Sequence, residues 1–306
     1  MHGSLIATRI IPISTIAIRI EDGGWTGDLA RSIFASLFEE SAMISPTERM
    51  IAEIDGPIGW LTFNNPAKMN AISADMWAAM APIIDHFERD PAVRAIVLKG
   101  AGDKAFISGA DINRFEERRS SAEAAASDSE NMRNGLSRLE HSSKPTIAMI
   151  RGYCLGGGLL VALHCDMRIA TDTARLGIPA AKLGIAYTLS GVQKVVDLVG
   201  PAFAKEMLMT ARQFSGVEAQ AMGLINRAVP EGELESFTRS YCTTMAENAP
   251  LSIAATKGII AELTKPRCEI DRAKCDALGK MCMESEDFAE GRRAFGEKRK
   301  PVFRGR

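Results

Sequence analysis

The feature that most constrains this chain is a run of three glycines, Gly156-Gly157-Gly158, set between an apolar strand-like stretch and a helix-like one. Pro145–Ile150 reads as a buried strand and Gly156–His164 as a helix that begins in glycine. Glycine inside a helix costs roughly 1 kcal/mol relative to alanine, so three together are retained only where the backbone must be bare. Free N–H groups at such a strand-to-helix junction suit negative charge. A nucleotide phosphate is one such charge, but the chain has neither G-x-x-x-x-G-K-[ST] nor the G-x-G-x-x-G spacing here.

A second glycine turn lies upstream, Phe106-Ile107-Ser108-Gly109-Ala110-Asp111-Ile112, soon after the buried strand Ala95–Lys99. Small residues here permit close approach of a ligand to the backbone. An ordinary strand-to-helix turn with Asp111 as its cap is the alternative. Around these turns, strands alternate with helices. Ile51–Phe63 holds two short strands about a Gly-Pro turn at 56–57. Met76, Trp77, Met80, Ile83, Ile84 and Phe87 fall at helical spacing over 74–89, after Ser73 as a cap. Residues 114–141 read as a polar loop passing into a helix, and Met167–Ala170 as another strand. The pattern predicts an α/β core over 43–233 and a helical region over 234–306.

With 306 residues the chain buries enough surface to need no disulfide or metal. Its six cysteines, at 154, 165, 242, 268, 275 and 282, show no metal-ligand spacing and read as reduced packing residues of a cytoplasmic protein. A formal net charge of -1 and the lack of aromatic–basic interleaving argue against nucleic acid as a partner. No apolar run approaches membrane-spanning length, since Ile10–Ile20 is broken by Pro12 and Arg19. Residues 1–42 form an extension of unassigned role, and Glu21, Asp22, Asp28, Glu39 and Glu40 argue against a transit peptide. A start at Met43 or Met50 is the other reading of that segment.

Taken in order, Asn64–Ser73, Ser108–Ile112, Gly152–Gly158, Ala219–Asn226 and the tail Ser285–Gly291 followed by Phe295 and Lys298–Pro301 resemble the enoyl-CoA hydratase/isomerase (crotonase) superfamily. The resemblance runs from about residue 48 to the C-terminus. It implies a spiral of ββα units with a helical C-terminal trimerisation region, assembled as a homotrimer or homohexamer. The substrate it implies is a coenzyme A thioester, with no separate cofactor and no metal. The backbone amides of Ala110 and Gly157 would form an oxyanion hole for the thioester carbonyl. Lys68, Ala71, Asp111 and Ile112 match positions that hold coenzyme A, and Phe295 and Lys298 match a C-terminal contribution to that site. A solvated basic tail is the alternative reading of Arg292, Arg293 and Lys298–Lys300.

The departures matter as much. Asn113 replaces a lysine common after this isoleucine. The two glutamates with which the family's hydratases move protons are Leu160 and Ala180 here, and neither side chain can do so. Leu183–Gly191 is similar instead to the Gly-x-x-Tyr segment of the superfamily's methylmalonyl-CoA decarboxylases, which makes Tyr187 a candidate for orienting the departing carboxylate. Those decarboxylases carry His where this chain has Ala110, and Tyr187 as a packing residue is the plainer alternative. The sequence therefore predicts an acyl-CoA lyase that stabilises a thioester enolate, with decarboxylation of a malonyl-type acyl-CoA as the specific reaction. A hydratase or isomerase drawing its acid and base from residues such as Glu116 or Glu117, a thioesterase, and a silent acyl-CoA-binding protein are the alternatives.

Overall fold

In the computed structural model, residues 45–110 and 122–306 are described, and the 1–42 extension together with Asp111, Ile112, Glu116 and Glu117 lies outside them. Two sheets organise the fold. The larger contains β1 (Met50–Asp55), β2 (Ile58–Phe63), β3 (Ala95–Gly100), β5 (Thr146–Ile150), β7 (Met167–Thr171) and β10 (Arg227–Val229), side by side in that order. The smaller orders β4 (Ala105–Ile107), β6 (Tyr153–Leu155), β8 (Arg175–Gly177) and β9 (Phe214–Ser215). Successive strands go alternately to the two sheets: β3 then β4, β5 then β6, β7 then β8. Helices close each turn of the spiral, so the chain is built of ββα units.

Parallel strands covered on both faces favour apolar residues along their whole length rather than at alternate positions. β3 and β5 meet this with Ala95–Leu98 and Ile147–Ile150, paired in parallel with Ile96 opposite the polar Thr146. The alternation reappears as a choice of which layer each residue joins. Leu61, Phe63, Ile96, Leu98, Ala148 and Ile150 enter the main core. Trp60, Ala95, Val97, Ile147, Met149 and Ile169 face the other way, into a second cluster completed by Leu234 and Cys242.

α1 (Ala74–Arg89) lays Met76, Met80, Ile83, Ile84 and Phe87 into the main core. It packs against α2 (Ala122–His141), the helix expected at the end of 114–141. α3 (Gly157–Leu163) follows the glycine run, and α4 (Leu189–Thr210) and α5 (Gly216–Ala221) precede β10. Arg168, buried in β7, is held by carbonyl oxygens. It donates to Ala162 O (3.1 Å), Cys165 O (2.8 Å) and Leu224 O (2.9 Å), which ties the end of α3 to the sheet.

The C-terminal region is helical: α6 (Leu234–Ala246), α7 (Pro250–Leu263), α8 (Arg272–Met283) and α9 (Glu286–Gly296). α6 covers the second cluster with Leu234 and Cys242, while α7 and α8 pack as a pair. The buried Glu262 of α7 is held by Lys265 (2.8 Å) and Lys274 (2.7 Å) and accepts from Asp271 N (3.2 Å). Two buried carboxylates of α9 anchor the tail. Asp287 accepts from Arg304 N (2.7 Å) and Gly305 N (2.8 Å), and Glu290 accepts from Val302 N (3.1 Å).

Candidate active site

The site grows from the points where the chain leaves one strand of the smaller sheet and turns. β4 and β6 pair in parallel, with Ile107 opposite Cys154, so the turns that follow them emerge side by side. The first ends in Gly109 and Ala110, the second in Gly156 and Gly157. Gly109 has φ +128° and Gly156 has φ +52° with ψ -112°, conformations that residues with a Cβ rarely adopt. Gly158 is needed for a different reason, because a Cβ there would collide with the carbonyl oxygen of Ile107. It lets α3 press onto β4.

Gly157 is the informative one. A Cβ built on it would lie 3.5 Å from Ala110 N and 3.8 Å from Gly109 C, in ordinary contact with both. The bare space beside Gly157 is therefore the space beside the Ala110 amide. Neither amide donates to an acceptor among the described residues. Two bare N–H groups so placed suit an oxygen on which negative charge develops. The helix behind Gly157 has only seven residues, so the amides themselves carry this capacity.

The first turn is stitched to the segment expected to hold coenzyme A. Ile72 N donates to Gly109 O (2.9 Å), Ser108 N to Met69 O (3.1 Å) and Ser108 Oγ to Lys68 O (3.3 Å). Lys68 ends a single 3₁₀ turn, and Ala71 is buried two residues beyond Met69. Asn70 ties these pieces together. It is buried, adopts φ +57°, accepts from Asn65 N (3.0 Å), and donates to Ala101 O (2.9 Å) and Ala105 O (2.8 Å). Asparagine tolerates the left-handed region better than most residues and offers both donors and an acceptor. Sequence alone assigns it no role, since two of its three partners lie 31 and 35 residues away.

Leu160 is buried in the main core and Ala180 packs against the same cluster. The titratable group nearest to Leu160 in the chain is His164, whose Nδ1 donates to Leu160 O (2.8 Å). Burial pushes the His164 pKa down. Burial also raises Glu140, but the hydrogen bond and charge of Lys194, with His164 and His141 nearby, together outweigh this and hold the carboxyl below the usual range. This cluster hangs from the C-terminal end of α3, about 10 Å along the helix from Gly157 at 1.5 Å per residue. It supports the helix from below.

Tyr187 follows the 3₁₀ turn Pro179–Leu183 and the left-handed Gly184. Its ring rests on Gly191, where any Cβ would collide with it, and packs against the main core. The hydroxyl donates to Gly156 O at 3.2 Å. Burial pushes the phenol pKa up, so it stays a donor. The structure thus brings Tyr187 to the glycine turn, with its proton on the backbone.

Phe295 and Lys298 do not join this group within one chain. Phe295 is 87% exposed and lines a hollow with Ala249, Ser252, Gly279 and Cys282, none of which belongs to either turn. Lys298 is exposed with φ +53°. No helix among the described residues is long and apolar enough to cross a membrane.

Comparisons with known proteins agree with this architecture. The sequence model for enoyl-CoA hydratase/isomerase matches residues 53–306. The chain is 35% identical over 260 residues to a short-chain-enoyl-CoA hydratase of Clostridium acetobutylicum, covering 82% of this chain and 95% of that one. It is 34% identical to (E)-benzylidenesuccinyl-CoA hydratase of Thauera aromatica, over 83% of this chain and 98% of the relative. Among solved structures, an enoyl-CoA hydratase/carnithine racemase from Magnetospirillum magneticum superposes with a TM-score of 0.81 at 32% identity, covering 86% of this chain and 98% of that one. Matched over most of its length by the family's sequence model and by these relatives, the chain belongs to the enoyl-CoA hydratase/isomerase family.

Proposed function

We propose that this chain is an acyl-CoA lyase that stabilises a thioester enolate between the amides of Ala110 and Gly157, and that its reaction is decarboxylation of a malonyl-type acyl-CoA. One observation carries the reading: the two bare amides are in place, while the positions that would move protons hold Leu160 and Ala180. Such a site can lower the energy of an enolate without removing a proton from carbon or water. Decarboxylation needs enolate stabilisation and placement of the carboxylate at its first step, but no initial base. The bond to the carboxylate carbon breaks, its electrons pass into the enolate, CO2 leaves, and water supplies the proton that re-forms the saturated thioester.

A second reading, hydration or dehydration of an acyl-CoA, is favoured by the relatives, which include a carnitinyl-CoA dehydratase of Salmonella paratyphi A at 35% identity. It requires a carboxylate not among the described residues of the site, with Glu116 and Glu117 as the candidates. We also read the exposed Ile260, Leu263, Met283, Phe288 and Phe295 on α7 to α9 as subunit contacts of a trimer. Light scattering checks that assembly.

The deciding experiment is mass spectrometry of the protein incubated separately with methylmalonyl-CoA and crotonyl-CoA. Propionyl-CoA from the first supports the decarboxylase. Hydroxybutyryl-CoA from the second, without propionyl-CoA, overturns it in favour of hydration. Binding of both with no product leaves an acyl-CoA-binding protein.

A further inference from the structure

The phenol of Tyr187 donates to Gly156 O at 3.2 Å, and the amide of Leu160 donates to the same oxygen at 3.0 Å. Gly156 O and Gly157 N belong to one peptide unit. That unit is planar and trans, so its C=O and N–H point in opposite directions. Whatever grips the oxygen therefore aims the N–H. The grip is needed because the residue before the peptide is glycine, at φ +52° and ψ -112°, whose backbone has the widest freedom of any residue. A glycine turn leaves the amide bare and, for the same reason, leaves its tilt poorly fixed. The helical bond from Leu160 restrains the carbonyl from one side only.

From this geometry we infer that Tyr187 is a positioning residue for the two-amide site: by holding Gly156 O it orients and polarises the Gly157 N–H, and it acts on the thioester through that peptide rather than by touching substrate. The inference rests on the reading of Ala110 and Gly157 as the oxyanion donors, and holds for any thioester reaction run there. Hydrogen bonds in a chain reinforce one another, so a donor on the carbonyl strengthens the N–H at the other end of the same amide. Burial keeps the phenol protonated. Its seat is built for the task, since Gly191 has no Cβ to displace the ring.

The test uses a ligand on which none of the candidate decarboxylation or hydration reactions can proceed: butyryl-CoA carrying ¹³C at the thioester carbonyl. Its carbonyl stretch is recorded by difference infrared spectroscopy, free and bound, with wild type, Tyr187→Phe and Thr188→Ala. Phenylalanine keeps the ring on Gly191 and removes only the hydroxyl. Thr188→Ala removes the side-chain cap on Gly191 N (3.2 Å) and loosens the start of α4 without touching the phenol. The expected result is a downshift in wild type, a clearly smaller one in Tyr187→Phe at a dissociation constant within about threefold of wild type, and the full shift in Thr188→Ala. A full shift in Tyr187→Phe overturns the inference and leaves the two-amide site standing. An equal loss in Thr188→Ala overturns it too, because general loosening then explains the effect. So does loss of butyryl-CoA binding in Tyr187→Phe, which would place the hydroxyl in contact with ligand. No shift in wild type removes the two-amide reading itself, and this inference with it.

Discussion

Substituting Gly157 by alanine separates folding from chemistry in one step. Gly157 lies outside the left-handed region, and its new Cβ would meet Ala110 N at 3.5 Å and Gly109 C at 3.8 Å, distances at which nothing has to move. It is also the first residue of α3. Alanine there is therefore neutral or stabilising, by up to about 1 kcal/mol, because less backbone entropy is lost on folding. The chemical effect has the opposite sign. An oxygen bonded to Ala110 N sits about 2.9 Å from it, in the space that the methyl now occupies. Losing one donor of an oxyanion site typically costs about 100- to 1,000-fold in turnover, or roughly 3–4 kcal/mol of barrier. The assay pairs urea unfolding with turnover of whichever acyl-CoA the wild type converts. A Gly157→Ala protein as stable as wild type and at least about 100-fold slower fits the reasoning. One that keeps wild-type turnover refutes it, because the thioester oxygen would then lie elsewhere.

Asn70→Ala removes one acceptor and two donations in a buried position and places alanine at φ +57°, so it should lower unfolding stability by roughly 3–5 kcal/mol, read from urea midpoints. For Glu88, burial raises the pKa, but hydrogen bonds from Ser143 and Ser142 outweigh it and hold the carboxyl below its ordinary 4.5. Its stabilising contribution is therefore complete above pH 4.5 and is lost as pH falls through the lower folded value; Glu88→Gln should flatten that acid limb of a stability–pH curve. Placing carboxylates back with Leu160→Glu and Ala180→Glu should raise crotonyl-CoA hydration above wild type, at a stability cost of roughly 2–4 kcal/mol for the polar group buried at 160. Unchanged hydration in a folded double variant would mean that these two positions do not face the substrate.

Much of the larger sheet was legible in the sequence for a physical reason. β3 and β5 are buried on both faces and read as nearly continuous apolar runs, and α1 shows its helical period over sixteen residues. The smaller sheet was not legible. β4, β6 and β8 have three residues each, too few to show a period of two, and Tyr153–Leu155 reads locally as part of a glycine turn. Yet the pairing of these short strands is what sets the two turns side by side. The glycines announced themselves because a bare backbone is costly wherever it has no purpose. Asn70 did not, since two of its partners lie more than thirty residues away. Tyr187 stood out in the sequence only by resemblance, and its bond to Gly156 O, 31 residues away, was not legible there. Leu160 and Ala180 were legible only against the family pattern, because an apolar residue in a core carries no signal of its own. The C-terminal helices were foreseen from the lack of strand signals after Leu234, but not the carboxylates of Asp287 and Glu290 that hold the tail.

The deciding quantity is where a bound thioester oxygen lies. A crystal structure of the protein with butyryl-CoA measures it. That oxygen is expected within about 2.7–3.1 Å of both Ala110 N and Gly157 N, with the Tyr187 hydroxyl still on Gly156 O. A thioester oxygen bonded to neither amide, in a protein that holds the coenzyme A portion in order, would contradict it.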